Sequence, residues 1–147
     1  YGSMPELKLR VAQKIVAAAH KAARERGFKP LAVAVYDARG ALKAFGAEEG
    51  TSLKRGEMAM GKGYGALAVG VPSRTLGKMA VERPHFIAGV THVVGGLLVP
   101  AAGGVLIRDG KGALLGSVGI SGDNSDNDEI AAVAGVEAAG LVAETGA

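Results

Sequence analysis

The order of predicted helices and strands indicates one α/β domain of the α+β kind, with an antiparallel sheet of about five strands against long first and last helices. Three observations predict this class. Apolar residues recur at helical spacing near the start, short turns rather than crossover helices join most of the strands, and a helix rich in small residues follows the last strand. We see no internal repeat or linker, so residues 5–147 are expected to form one domain.

An amphipathic helix and a hairpin come first. The helix is predicted over residues 6–26, and Gly27 stands where a helix-ending residue is expected. Residues 31–36 are apolar and predict a buried strand, and residues 41–46 predict a second strand. The turn at residues 37–40 joins them into a hairpin.

The central region predicts helices that contain many glycines. Residues 54–69 predict a helix despite four glycines, each of which weakens a helix by up to about 1 kcal/mol relative to alanine. We expect close packing against another backbone to compensate for this loss. Ser73 can cap a short helix over residues 74–81, Pro84 ends it, and residues 85–95 favour neither helix nor strand.

Three strands and a helix complete the domain. The strands are predicted over residues 96–100, 105–108 and 114–121, and the glycine-containing turn at 109–112 joins the last two. The final helix is predicted over residues 126–144.

Composition excludes several classes of protein. The chain has 147 residues, of which 48% are hydrophobic and 21% charged, as in a globular domain. It contains no cysteine, which excludes disulfides, thiolate catalysis and cysteine-ligated metals and fits a cytoplasmic location. Residues 1–3 resemble a cloning scar, so Met4 is the expected native start, and no signal peptide follows it.

Nucleic acid and membranes are not expected partners. The formal charge is +3, but the lysines and arginines are scattered and aromatic residues make up only 4%. The longest apolar run, residues 93–107, is broken by glycine and proline and is shorter than the roughly 20 residues of a membrane helix.

Two partial motifs favour simpler interpretations. Residues 56–63 resemble a phosphate-binding loop, but Gly63 stands where a serine or threonine would hold magnesium. A glycine-rich helix is favoured there. Pro5 could become the N-terminal proline that some tautomerases use, but it precedes a helix, where proline in the first turn is simply favourable.

A cluster of carboxylates opens the last helix. It lacks the glycine and glutamate that a calcium-binding EF-hand loop requires. Ser125 with Asp128, or Asp126 with Glu129, predicts a capping box, and further carboxylates such as Asp123 favour the positive end of the helix dipole. A role in a pocket or subunit contact is the alternative.

The histidines and three cations are the other candidate site residues. His85 and His92 are two helical turns apart, so both would face one side of a helix, and either could ligate haem iron or act as an acid or base. His20 is interpreted as a surface or contact residue. A carboxylate could be held by cations near the apolar segments, although solvated positions are the alternative: Lys62, Arg74 and Arg83.

The second half of the chain resembles the GlcG/HbpS-like family, which includes the C-terminal domain of PduO-type proteins. The resemblance rests on the segment Pro100–Gly110 with its paired glycines, the strand Gly116–Gly122 and the acidic turn Asp123–Glu129. In the first half, residues 23–37 are similar to the family's first helix and strand, and Lys62 with the segment through Arg74 is similar to its central helical region. The resemblance covers nearly the whole chain from about Leu7.

The resemblance implies an α/β domain that assembles into higher oligomers, and glycine-rich helices likewise predict a homo-oligomer larger than a dimer. Some members bind haem or related tetrapyrroles, and others accompany genes for catabolism of small organic acids or diols. Three functions follow: a haem-binding or similar small-molecule-binding protein, a catabolic isomerase, hydratase or lyase, or an accessory subunit without chemistry.

The candidate site follows from the predicted fold. The enzyme would use as acid or base His85, His92, Asp126 or Glu129, with Arg74 or Lys62 holding a substrate carboxylate. We predict a pocket between residues 83–92 and the turn at 121–129, which begins with Ser121 and Gly122, completed by a neighbouring subunit.

Overall fold

The computed structural model describes residues 5–147 and confirms the predicted fold class. The interpretation of residues 1–4 as a cloning scar and start methionine lies outside the described residues. The elements follow one another as α1 Leu9–Arg26, β1 Ala32–Asp37, β2 Leu42–Ala47, α2 Arg55–Val69, α3 Ser73–Glu82, α4 Pro84–Val93, β3 Gly104–Arg108, β4 Leu114–Ser121, α5 Ser125–Ala138 and β5 Val142–Glu144.

The strands form one antiparallel sheet in the order β2-β1-β4-β3-β5. Val33 of β1 lies opposite Ile120 of β4, and Val105 of β3 lies opposite Val118. These four side chains point to the face covered by α1 and α5 and are fully buried there. The opposite face is covered by α2, beneath which Tyr36 is buried.

The fifth strand is not the one that the sequence predicted. Residues 97–100 form no strand, because Gly95 and Gly96 turn the chain with positive φ angles and the segment then crosses α2. There the amide of Val99 donates to the carbonyl of Gly61 at 3.2 Å. The last helix ends at Ala138 rather than Glu144, because Gly140 adopts a φ of 75° and turns the chain back as β5.

The glycines of α2 allow two neighbouring backbones to approach the helix. A Cβ atom on Gly61 would lie 2.6 Å from a methyl carbon of Val99, and one on Gly65 would lie 2.9 Å from the Cα of Leu98. A Cβ atom on Gly63 would lie 3.0 Å from the amide of Gly119 in β4. The expected compensation is therefore present: the sheet and residues 98–99 pack directly on the helix backbone.

Residues 85–95, which the sequence left unassigned, belong mainly to α4. This helix packs on α3 through a small separate cluster of Leu76, Ile87 and Leu98. Ile87 is the one buried residue of α4, and the helix contains no aspartate, glutamate, lysine or arginine. Much of its apolar surface is therefore exposed. No helix within residues 5–147 is long and apolar enough to cross a membrane.

Candidate functional site

The acidic turn meets the central helices through ion pairs. Arg74 of α3 donates from Nε to Glu129 at 3.0 Å and from Nη2 to Asp126 at 2.6 Å. Hydrogen bonds to Glu129 first, and to Asp126 second, raise the pKa of Arg74 above its ordinary value. The fold thus brings together these three predicted site residues, but as ion-pair partners of one another.

A second ion pair, between Lys62 and Asp128, lies inside the protein. Lys62 Nζ is 3.1 Å from Asp128 Oδ2, and the side chains are 3% and 0% exposed. Burial lowers the pKa of Lys62 and raises the pKa of Asp128, and the attraction between the two groups opposes both changes. The amide of Asp123 donates to the other oxygen of Asp128 at 2.9 Å, so both carboxylate oxygens have partners. Lys62 is therefore inaccessible to a ligand in this arrangement.

Arg55 joins the same region from the start of α2. Its Nη1 donates to the hydroxyl of the buried Ser121 at 3.0 Å and lies 3.5 Å from the carbonyl of Asp123. Gly122 is also buried, and a Cβ there would collide with the carbonyl of Pro30. The turn at residues 121–129 is thus tied to α2, α3 and the loop before β1.

Neither of the two predicted capping boxes caps α5. The N-cap is Asn124, whose side-chain oxygen accepts from the amide of Asn127 at 2.8 Å. Asp128 is turned inward to Lys62 instead, and Asp126 and Glu129 are turned toward Arg74. The carboxylates that the local pattern assigned to capping form ion pairs with other helices instead.

The other predicted residues lie on a separate part of the surface. His85 and His92 are exposed on α4, and the guanidinium of Arg83 lies 4.4 Å from the centre of the Phe86 ring. Within residues 5–147, no hydrogen bond or ion pair joins residues 83–92 to the turn at 121–129. α3 contacts both, since it packs on α4 and sends Arg74 to the turn. A pocket shared by these two segments stays a prediction.

His92 borders a shallow groove at the end of α4. The groove has a volume of about 530 Å³, and its lining residues are Ala88, Thr91, His92, Gly95 and Gly96. Four of these five residues are exposed.

His20 occupies a different groove, between α1 and the edge strand β2. Its Nε2 lies 3.2 Å from the carbonyl of Leu31, which fixes the ring. The groove has a volume of about 360 Å³ and is lined from β2 by residues that include Lys43 and Gly46. A Cβ atom on Gly46 would lie 3.1 Å from Cε1 of His20 and 3.9 Å from Nδ1. The backbone of β2 at Gly46 therefore packs closely against this edge of the imidazole.

The sequence did not predict three contacts: the buried ion pair of Asp128, the bond of Arg55 to Ser121, and the bond of His20 to the carbonyl of Leu31. A signal existed for Asp128, because it precedes Ala131, Ala132 and Gly135 at helical spacing and so lies on the buried stripe of α5. His20 follows Val16 at helical spacing on the half-buried side of α1. No local pattern distinguishes Arg55 from the other lysines and arginines. Within the described residues, no three histidine or carboxylate side chains are grouped as a metal site.

Comparison with known proteins gives one family and several similar structures. The family model described as haem-degrading protein HbpS-like matches residues 7–137. A solved PduOC–haem complex is 23% identical with a TM-score of 0.83, and the match covers 95% of this chain and 99% of that one.

Two further solved structures have the same fold. HbpS is 28% identical with a TM-score of 0.78, covering 93% of this chain and 92% of that one. The ORFY protein of Klebsiella pneumoniae is 17% identical with a TM-score of 0.83, covering 95% and 94%. Comparison with curated protein sequences gives no match.

Proposed function

Because the chain belongs to the family of HbpS-like haem-degrading proteins, we propose that it binds haem or a similar tetrapyrrole through a histidine. A haem complex among proteins of the same fold supports this ligand class. The alternative, an acid–base enzyme, would use His85, His92, Asp126 or Glu129, and the last two are held in ion pairs with Arg74. An accessory subunit without chemistry would bind no such ligand.

The geometry of His20 carries the proposal. Metal-binding histidines usually have one ring nitrogen held by a backbone carbonyl or carboxylate, which leaves the other nitrogen free to bind. His20 has this arrangement: Nε2 lies 3.2 Å from the carbonyl of Leu31, and Nδ1 makes no hydrogen bond within the described residues. Only His20, of the three histidines, has a ring hydrogen bond among the described residues.

The rest of the groove suits an anionic ligand with an apolar body. Val16, Ala17 and Ala44 supply apolar walls, and Lys43 supplies a cation for a propionate group. Lys43 has no ion-pair partner within residues 5–147. Haem bound there would supply a redox-active iron whose potential depends on its axial ligand.

His85 and His92 provide a second location for the same ligand class. Both are exposed on the uncharged α4, and Arg83 beside them has no carboxylate partner within residues 5–147. Lys62 and Arg74 are occupied by carboxylates, so neither is available to hold a propionate without breaking an ion pair.

Titration with hemin tests the proposal, because the chain contains only three histidines. We expect wild-type protein to shift and sharpen the Soret band at one hemin per chain. His20→Gln should abolish the shift, whereas His85→Ala and His92→Ala should retain it. If instead the two α4 variants lose the shift together, the site lies on α4. A wild-type protein without any shift would contradict haem binding itself.

The cation in the groove has a matched control. Lys43→Ala should weaken hemin binding several-fold while keeping the position of the Soret band, because it removes a propionate partner and not an iron ligand. Lys111→Ala removes an equally charged, exposed side chain from the turn between β3 and β4 and should leave binding unchanged. Equal effects of the two changes would show that only net charge matters.

A further inference from the structure

Glu48, the first residue after β2, hydrogen-bonds both backbone groups of Leu31, the residue whose carbonyl holds His20. The amide of Glu48 donates to the carbonyl of Leu31 at 3.1 Å, and its Oε1 accepts from the amide of Leu31 at 2.8 Å. Leu31 is fully buried, so neither of its backbone groups can turn to water instead. The direction of the Leu31 carbonyl is therefore fixed by Glu48.

Arg24 connects the same carboxylate to the helix that carries His20. It follows His20 by four residues, so the two side chains leave the same side of α1. Its Nε lies 3.0 Å from Oε2 of Glu48, and its Nη2 donates to the carbonyls of Phe28 and Lys29 at 2.7 and 2.9 Å. Both oxygens of Glu48 thus have partners. Arg24 and Glu48 together hold the loop between α1 and β1 in place beside the imidazole.

The hydrogen bond to Leu31 determines which nitrogen of His20 is free. A carbonyl oxygen can only accept, so Nε2 must carry a proton, and in the neutral ring Nδ1 is then the unprotonated nitrogen. Every buried side-chain nitrogen and oxygen within residues 5–147 has a hydrogen-bond partner. Since Nδ1 has no partner there, it reaches the surface. A neutral imidazole with an accessible, unprotonated nitrogen is the form of histidine that binds metals.

We propose that Glu48, supported by Arg24, positions His20 for its ligand by holding the Leu31 carbonyl where it keeps the proton on Nε2 and leaves Nδ1 free. This inference rests on the proposed binding at His20 and adds the residues that select its reactive nitrogen. No hydrogen bond joins Glu48 to the imidazole within the described residues, so Glu48 acts through Leu31. Metal-binding histidines are commonly oriented by such outer groups, and losing one weakens metal binding by about 10–100-fold.

Nuclear magnetic resonance of the ring nitrogens tests the positioning in hemin-free protein, at a pH where the imidazole is neutral. We expect wild-type His20 to carry its proton on Nε2, with Nδ1 unprotonated. Glu48→Ala should give a mixture of the two neutral tautomers, because the Leu31 carbonyl is no longer held. Glu48→Gln keeps an acceptor for the Leu31 amide and should restore the wild-type tautomer. Glu49→Ala removes an exposed neighbouring carboxylate and should change nothing.

Hemin titration of the same variants measures the consequence for binding. Glu48→Ala should weaken hemin binding by about 10-fold, whereas Glu48→Gln and Glu49→Ala should stay near wild type. If Glu48→Ala does not fold, Arg24→Gln replaces it, because that change removes the ion pair and keeps both bonds of Glu48 to Leu31. Arg24→Gln should shift the tautomer and the affinity in the same direction, by less.

The two measurements separate this proposal from the proposed function. A wild-type tautomer in Glu48→Ala, or in Arg24→Gln where that variant replaces it, would overturn the positioning even if hemin binds. Hemin affinity equal to wild type in the same variant would overturn it as well. A tautomer that depends on Glu48 in a wild-type protein that binds no hemin would support the positioning and contradict haem binding.

Discussion

Replacing Lys62 by methionine should reveal what the buried ion pair contributes. The substitution leaves Asp128 fully buried with the amide of Asp123 as its remaining partner. The protein can avoid an unpaired buried charge at the lowest free-energy cost if Asp128 takes up a proton. The ordinary pKa of an aspartate, 3.8, lies about three units below pH 7, and protonating the carboxylate costs about 1.4 kcal/mol per unit. The free energy of unfolding should therefore fall by about 4 kcal/mol. That is a large fraction of the 5–15 kcal/mol of a typical domain.

The pH dependence separates this explanation from a simple loss of packing. In Lys62→Met the folded-state pKa of Asp128 is raised above its unfolded value, so stability relative to wild type recovers as the pH falls toward 3.8. At pH 5 the same reasoning gives a loss of about 2 kcal/mol. Urea denaturation followed by circular dichroism at pH 7 and pH 5 measures both values.

Two further variants serve as controls. Lys62→Met combined with Asp128→Asn keeps an acceptor for the amide of Asp123 and removes both charges, so it should recover most of the stability. Lys54→Met breaks the ion pair with Glu57, whose side chains are both 67% exposed, and should cost under about 0.5 kcal/mol at either pH. A loss for Lys62→Met that is equal at pH 7 and pH 5 would refute the reasoning.

Three other outcomes are expected. Burial raises the pKa of Tyr36 to about 12, so the stability that its protonated phenol contributes is complete below pH 10.0 and is lost as the pH rises toward 12. In an ultraviolet titration, one tyrosine should therefore ionise late. Tyr36→Phe should remove that late phase and no other. Gly104→Ala should cost about 3 kcal/mol of stability or prevent folding, because its Cβ would collide with the carbonyl of Lys62. Gly110→Ala has open space around its Cβ and should not change thermal denaturation. Equal melting temperatures for the two variants would contradict the described packing. Hydrogen bonds from the amides of Lys29 and Asn124 lower the pKa of Asp123, so the stability contributed by its carboxylate is present above pH 3.8 and lost below it. Asp123→Asn should be less stable than wild type at pH 7, and the difference in stability should close under acid. A difference that stays constant with pH would exclude the carboxylate as its source.

The sequence by itself determined the class of fold and most of its elements. Periodic apolar residues and glycine-containing turns act over a few residues, so they predicted α1, the hairpin of β1 and β2, and the pair β3 and β4 within a few residues of their observed bounds. The family resemblance was confirmed by the match over residues 7–137. The buried polar role of Asp128 was readable in the spacing of α5, although the prediction assigned that residue to capping.

Only the tertiary structure decided which strand completes the sheet and which charged groups remain free. Residues 97–100 have the composition of a strand, but α2 offers them a glycine backbone to pack on, and β5 takes the edge of the sheet beside β3. Arg74 and Lys62 looked like free cations because their partners on α5 lie more than 50 residues away along the chain. Local patterns carry no information about such distant pairs. Ion pairing, burial and groove shape depend on contacts between elements, and these exist only once the sheet has brought the elements together.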